Sequence, residues 1–136
     1  MEIRNAEIAD IQPILILLKE SEMFTDYIDT KQALSQKIKN DKESILVAAE
    51  KNKVVGCVFI IFDPWSSDIY RLCVKKSFRN NGIGSKLLDK AEDLIKKRGC
   101  KLANLFIEEG KENLLDYYKK RGWYFTCNCK NMEKRL

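Results

Sequence analysis

The chain has 136 residues, 45% hydrophobic and 33% charged, with only two prolines and six glycines, which excludes disorder and low complexity and predicts one domain with a real core. Its 25 basic and 20 acidic side chains leave a net charge of +5, which favours an anionic ligand without choosing one. There is no histidine, so Ser-His and Cys-His nucleophile pairs, a His general base and His-based zinc hydrolysis are excluded.

In chain order, Glu2 to Asn5 reads as a short first strand. Asp10 is placed to cap a helix that carries Ile11, Ile14, Leu15 and Leu18 on one face, with Pro13 tolerated in the first turn. Thr30 opens a second, more polar helix that runs to about Asn40. Ser44 to Glu50 and Val54 to Phe62 are rich in β-branched residues and are joined by Lys51-Asn52-Lys53, the pattern of an antiparallel hairpin. Asp63 to Asp68 has loop chemistry and leads into a central strand, Ile69 to Val74. From Gly82 the period changes: Ile83, Leu87, Leu88, Ala91, Leu94 and Ile95 recur at helical spacing up to Lys96-Lys97-Arg98 and the terminating Gly99. Lys101 to Ile107 is expected as a further strand and Lys111 to Arg121 as a helix with Leu114, Leu115 and Tyr118 on one face. Trp123 to Thr126 and Met132 to Leu136 are expected to pair as closing strands. No repeat or linker interrupts the series. The reading is a single α/β domain over residues 1–136, a central mixed twisted sheet flanked by about four helices, in which the unit from Ile69 to Ile107 makes a right-handed crossover.

The segment Arg79-Asn80-Asn81-Gly82-Ile83-Gly84 carries the chemistry. It lies between the end of a strand and the start of the strongest helix, where first-turn amides and the helix dipole favour a pyrophosphate. Lys75, Lys76, Arg79 and Lys86 raise the local density of cations. The segment is not a Walker loop, because the Gly-Lys-Ser/Thr ending is missing. Nor is it a dinucleotide fingerprint, because Leu87 stands where a third glycine belongs.

The run from Leu72 to Leu88 resembles the acetyl-CoA-binding signature of the GNAT superfamily of N-acetyltransferases. Leu115-Asp116-Tyr117-Tyr118-Lys119-Lys120-Arg121-Gly122-Trp123 is similar to that family's later helix, in which a Tyr stands four residues before a Gly-aromatic pair. The resemblance implies a GNAT-like fold and acetyl-CoA as co-substrate. Leu72, Cys73 and Val74 would offer backbone groups to the pantetheine arm and thioester, and Arg79, Asn80, Asn81, Gly82, Ile83, Gly84 and Ser85 would wrap the pyrophosphate. Tyr118 would be the general acid beside the sulfur. One departure is that many members carry Asn seven residues before that Tyr, where this chain has Lys111, with Asn113 two residues further on.

The implied reaction is direct transfer of an acetyl group to a primary amine in a ternary complex. Glu50, Asp68, Glu108 and Glu109 are the candidate bases for the ammonium proton. Cys73 raises the alternative of an acyl-cysteine relay, which lacks a histidine to activate it. Arg71, a charge in a central strand, would meet either an acidic group on the acceptor or a structural partner. Two other readings compete: a GNAT-like module that binds acyl-CoA without turnover, and a nucleic-acid-binding protein, against which the acidic residues interspersed along the chain argue.

The five cysteines are an odd number at spacings that fit reduced thiols, and Cys127-x-Cys129 without His or a second pair does not make a zinc site, so no metal is expected. The longest aliphatic stretch, Ile14 to Leu18, is too short to span a bilayer, and the N-terminus lacks a basic-then-apolar signal. A cytoplasmic protein, monomer or homodimer, with an amine acceptor and no nucleic-acid or membrane partner is the expectation.

Overall fold

A computed structural model describes residues 1–136, which divide into two compact units, Met1–Leu105 and Phe106–Leu136. The first unit holds a five-stranded sheet in the order β1 (Glu2–Asn5), β2 (Ile45–Glu50), β3 (Lys53–Ile61), β4 (Ser67–Val74), β5 (Ala103–Asn104). The first four strands are antiparallel neighbours and β4 pairs with β5 in parallel, so the sheet is mixed. Three helices belong to this unit: α1 (Ile11–Glu20), α2 (Lys31–Asn40) and α3 (Ile83–Lys97).

The local signals explain most boundaries. Thr30 caps α2 by accepting a hydrogen bond from the Ala33 amide at 3.1 Å. Lys51 and Asn52 adopt φ of 49° and 64°, the left-handed pair that a tight hairpin between β2 and β3 needs. Asp10 behaves otherwise than expected. It is the last residue of a 3₁₀ turn, Ile8–Asp10, and its carboxylate accepts from the Glu7 amide at 2.8 Å and from both terminal nitrogens of Arg4 at 2.6 and 3.0 Å. An ion pair to β1 therefore outcompetes a cap on α1, and the arginine holds the Asp10 carboxyl below its ordinary range against the opposing effect of burial.

Both faces of the sheet are covered. On one, Ile11, Ile14, Leu15 and Leu18 of α1 and Leu34 and Ile38 of α2 form a core with Val47, Cys57, Phe59 and Cys73. On the other, α3 buries Ile83, Leu87, Leu88, Ala91, Leu94 and Ile95. Gly56 lies beneath α3: a Cβ there would lie 3.1 Å from Leu87 Cδ1 and 3.2 Å from the Cys73 carbonyl oxygen. Past the end of α3, Arg98 stacks 3.5 Å over the Phe62 ring and donates to Asp41 at 2.6 and 2.9 Å and to Glu43 at 2.8 Å, tying the helix terminus to the connection between α2 and β2.

The second unit is built around α4 (Asn113–Lys119), shorter than the expected Lys111 to Arg121, and this helix buries no residue fully. Leu114, expected on a covered face, is 36% exposed. The closing strands expected at Trp123–Thr126 and Met132–Leu136 do not form: the chain from Tyr124 onward is exposed and has no regular structure. Its large apolar groups, Tyr124, Phe125, Met132 and Leu136, are few and all exposed, so no buried face offsets the entropy of ordering a strand there. The strand expected over Lys101 to Ile107 is likewise reduced to Ala103–Asn104.

Candidate acyl-transfer site

The site starts from an irregularity in β4. Cys57 lies opposite Cys73 and Phe59 opposite Tyr70, so one residue of β3, Val58, faces two of β4, Arg71 and Leu72. This is a β-bulge, and Arg71 takes φ of 55° to make it. The extra residue changes which face each side chain occupies. Ile69 lies opposite Ile60 while Cys73 lies opposite Cys57, so two positions of equal parity in the sequence point to opposite faces of the sheet. Asp68, Tyr70 and Cys73 consequently share the face covered by α1 and α2, whereas Val74, opposite Gly56, faces α3.

The other edge of β4 is mostly unpaired. Only Ser67 and Asp68 have partners in β5, Ala103 and Asn104, so from Ile69 to Val74 no ladder is made on that side. Leu72, Cys73 and Val74 lie on this open stretch. Cys73 is buried, and its sulfur lies 3.6 Å from that of Cys57. The Cys57 thiol donating to it, with Ser21 and the Arg79 and Arg71 charges assisting, holds Cys73 below the ordinary thiol range against its burial.

After Val74 the chain makes a 3₁₀ turn, Lys76–Phe78, and then the loop into α3. Asn80 and Gly82 adopt left-handed φ of 64° and 75°, which turns the backbone sharply twice within three residues. Arg79 Nε donates to the Val74 carbonyl at 3.0 Å, closing the loop onto the end of β4, and Asn81 Nδ2 donates to the carbonyls of Phe78 and Arg79 at 3.3 Å each. The first helical hydrogen bond of α3 runs from the Lys86 amide to the Gly82 carbonyl at 3.0 Å, so the preceding amides at Ile83 and Gly84 have no acceptor within the helix. The space above Gly82 is open: a Cβ there would meet nothing within 4 Å. A Cβ on Gly84 would instead touch Val74 Cγ2 at 3.6 Å, so that glycine faces β4. Arg79, Lys75, Lys76 and Lys86 are exposed around this turn.

The open side of β4 thus runs directly into an amide-bearing turn with exposed basic side chains around it. A family model described as the acetyltransferase (GNAT) family matches residues 11–123. The chain belongs to the GNAT family. It is an acyltransferase, and its similarities agree with that. It is 28% identical over 136 residues to an acetyltransferase of Pectobacterium atrosepticum, covering 100% of this chain and 96% of that one. Its fold is similar to that of Ard1 from Thermoplasma volcanium, with a TM-score of 0.81 at 22% identity over 93% of this chain and 84% of that one. It is also similar to the PaiA N-acetyltransferase from Thermoplasma acidophilum, solved in complex with coenzyme A, with a TM-score of 0.76 at 20% identity over 88% of this chain and 87% of that one.

The carboxylates named as bases differ in setting within this GNAT chain. Glu50 pairs with the N-terminal ammonium at 3.2 Å, and Glu108 pairs with Lys111 at 3.3 Å. Glu109 is exposed. Asp68 is the one of the four whose carboxyl is pushed up, by burial and by the nearby Asp63, against a hydrogen bond from Asn104. Arg71 has a structural partner, since its guanidinium donates to Asp29 at 3.0 Å and also to the carbonyl of Met23. Asp29, buried to 5% exposure in the connection between α1 and α2, has no signature in the sequence. The only hint was the need of a mid-strand arginine for an anion.

Tyr118 lies in the second unit. Gly122, at φ of 88°, lets the Trp123 amide turn back to the Tyr118 carbonyl at 3.1 Å, which sets the Trp123 ring edge-on to Tyr118 with centroids 6.1 Å apart. The spacing of Tyr four residues before Gly-Trp is thus the signature of a closed helix terminus. Burial, with a smaller effect from Tyr117, pushes the Tyr118 phenol up to about 12.

Proposed function

We propose that this GNAT protein transfers an acetyl group from acetyl-CoA to a primary amine by direct attack in a ternary complex. The observation that carries the reading is the turn from Arg79 to Gly84, where left-handed residues at Asn80 and Gly82 and the first amides of α3 meet open space beside the unpaired edge of β4. A pyrophosphate fits the amide-bearing turn, with Arg79, Asn80, Asn81, Gly82, Ile83, Gly84 and Ser85 wrapping it, and an extended pantetheine fits the backbone groups of Leu72, Cys73 and Val74. The PaiA neighbour, solved in complex with coenzyme A, supports coenzyme A as the kind of ligand.

A thioester is already activated, so the chain's work is to position the amine, polarise the carbonyl and protonate the leaving thiolate. Asp68 is the base: its raised carboxyl suits removal of a proton from an ammonium, through water, on the face it shares with Tyr70. Tyr118, protonated at any physiological pH, is the acid that returns a proton to the sulfur. Cys73, buried against Cys57 and without a base, takes no covalent part. The match from residue 11 to 123 spans both units and supports reading them as one transferase domain.

Calorimetry with acetyl-CoA followed by thiol release across protein N-termini, lysine peptides, polyamines and aminoglycosides tests the reading. Binding with turnover on one amine class supports it, and binding with release on none leaves a silent acyl-CoA module. Asp68→Asn should lower kcat on the accepted amine by about 10²–10⁴-fold without weakening acetyl-CoA, the loss typical of a removed general base. A Cys73→Ala protein should keep most of its turnover, and an acetylated Cys73 trapped during turnover would reverse the assignment.

A further inference from the structure

Two pairs of thiols come together in this chain, and they differ in access. Cys57 and Cys73 face each other across β3 and β4 with sulfurs 3.6 Å apart, but they are 0% and 6% exposed within the core, closed to any reagent in solution. Cys127 and Cys129 are exposed, and their sulfurs lie 3.0 Å apart in the C-terminal segment. No helix or strand constrains residues 124–136, so the backbone can adjust to close the short ring through Asn128.

We propose that Cys127 and Cys129 form a reversible dithiol–disulfide site, independent of the acyl-transfer reaction, that exchanges with small-molecule disulfides. Cys127 is the attacking thiol, since the Cys129 thiol donating to it, helped by Thr126, holds it below the ordinary thiol range. Its thiolate attacks one sulfur of the disulfide and expels the other half as a thiolate, leaving a mixed disulfide on Cys127. Cys129 then loses its proton and attacks the Cys127 sulfur, expelling the second half. The protein gives up two electrons and two protons and gains one S–S bond, while the small disulfide is reduced to two thiols. The nine backbone and Cβ atoms from Cys127 to Cys129 close with the two sulfurs into an eleven-membered, exposed ring, the kind that reducing thiols reopen readily.

The test is peptide mapping of the full chain after incubation with oxidised glutathione. Trypsin leaves both cysteines on the single peptide Gly122–Lys130, whereas Cys57 and Cys73 fall on separate peptides, Val54–Arg71 and Leu72–Lys75. The expected result is loss of two hydrogens from the Gly122–Lys130 peptide, reversed by dithiothreitol, with Cys57 and Cys73 still free. Cys129→Ser, in an exposed segment that carries no core residue, should accumulate a stable glutathione adduct on Cys127. An unchanged Gly122–Lys130 peptide, a persistent adduct in the unsubstituted chain, or a link between the Cys57 and Cys73 peptides instead would each overturn the proposal.

Discussion

The Arg71 guanidinium donates to the Asp29 carboxylate at 3.0 Å across 42 residues of sequence, so the bulge in β4 and the connection between α1 and α2 are held by one ion pair. Asp29 also accepts from the Thr25 amide at 2.7 Å, and Arg71 reaches the Thr25 hydroxyl at 3.4 Å. The connection is thereby pinned over the face of β4 that carries Asp68 and Tyr70.

Removing the anion should cost more than removing both partners. Asp29→Ala leaves the arginine and the Thr25 amide without their acceptor, an expected loss of about 1–3 kcal/mol, the usual penalty for stranding buried partners. The double variant Asp29→Leu/Arg71→Met should recover part of it. Urea denaturation of the three proteins checks this, and equal midpoints for Asp29→Ala and the parent chain would mean that the pair is solvated.

At the turn, conformation and charge can be separated. Gly82→Ala introduces a Cβ into open space but at φ of 75°, so it should cost about 1–2 kcal/mol of stability and leave acetyl-CoA binding largely intact. Gly82→Glu adds a carboxylate where the pyrophosphate is assigned and should abolish binding in a folded protein. Arg79→Ala should weaken binding less, with a loss that shrinks at high salt. Calorimetry at two ionic strengths reads all three.

Tyr118→Phe should lower kcat by more than about tenfold with acetyl-CoA affinity unchanged, the pattern of an interaction made mainly in the transition state. Tyr117→Phe, one residue earlier on α4, is the control and should do neither. Stability carries an independent signature. The folded Tyr118 phenol holds its proton up to about 12, above the ordinary 10.0 of the unfolded chain. Its contribution is therefore complete below pH 10 and is lost as pH rises towards 12, where the unfolded state has already released the proton. The Phe variant should lack that part of the alkaline decline in urea midpoint.

Gly56→Ala tests the packing of α3. Its Cβ would sit 3.1 Å from Leu87 Cδ1 and 3.2 Å from the Cys73 carbonyl oxygen, so the Leu87 side chain and the strand β4 must give way by a few tenths of an ångström. A destabilisation of about 1–3 kcal/mol is expected from overpacking. A Gly56→Ala/Leu87→Ala double variant, which returns space at the closer contact, should lose less than the sum of the two single changes.

The sequence by itself determined the elements whose evidence is local. The 3.6-residue spacing from Ile83 to Ile95, the Thr30 cap, the Lys51-Asn52 hairpin turn and the glycines at 82 and 122 each state their conformation within a few residues, so α3, α2, the β2–β3 hairpin and the turn before α3 could be read directly. The mixed α/β class and the GNAT resemblance rest on those same segments. Tertiary structure decided what depends on partners far along the chain. Asp10 left its expected capping role because Arg4 offered a charged partner. The strands expected at Trp123–Thr126 and Met132–Leu136 are absent, and the chain from Tyr124 onward stays exposed. The bulge at Arg71 and Leu72 leaves no trace in alternation, because Ile69 and Cys73 keep the same parity in sequence while occupying opposite faces of the sheet. Only pairing with β3 shows it, since register is a property of two strands and side-chain direction follows from register.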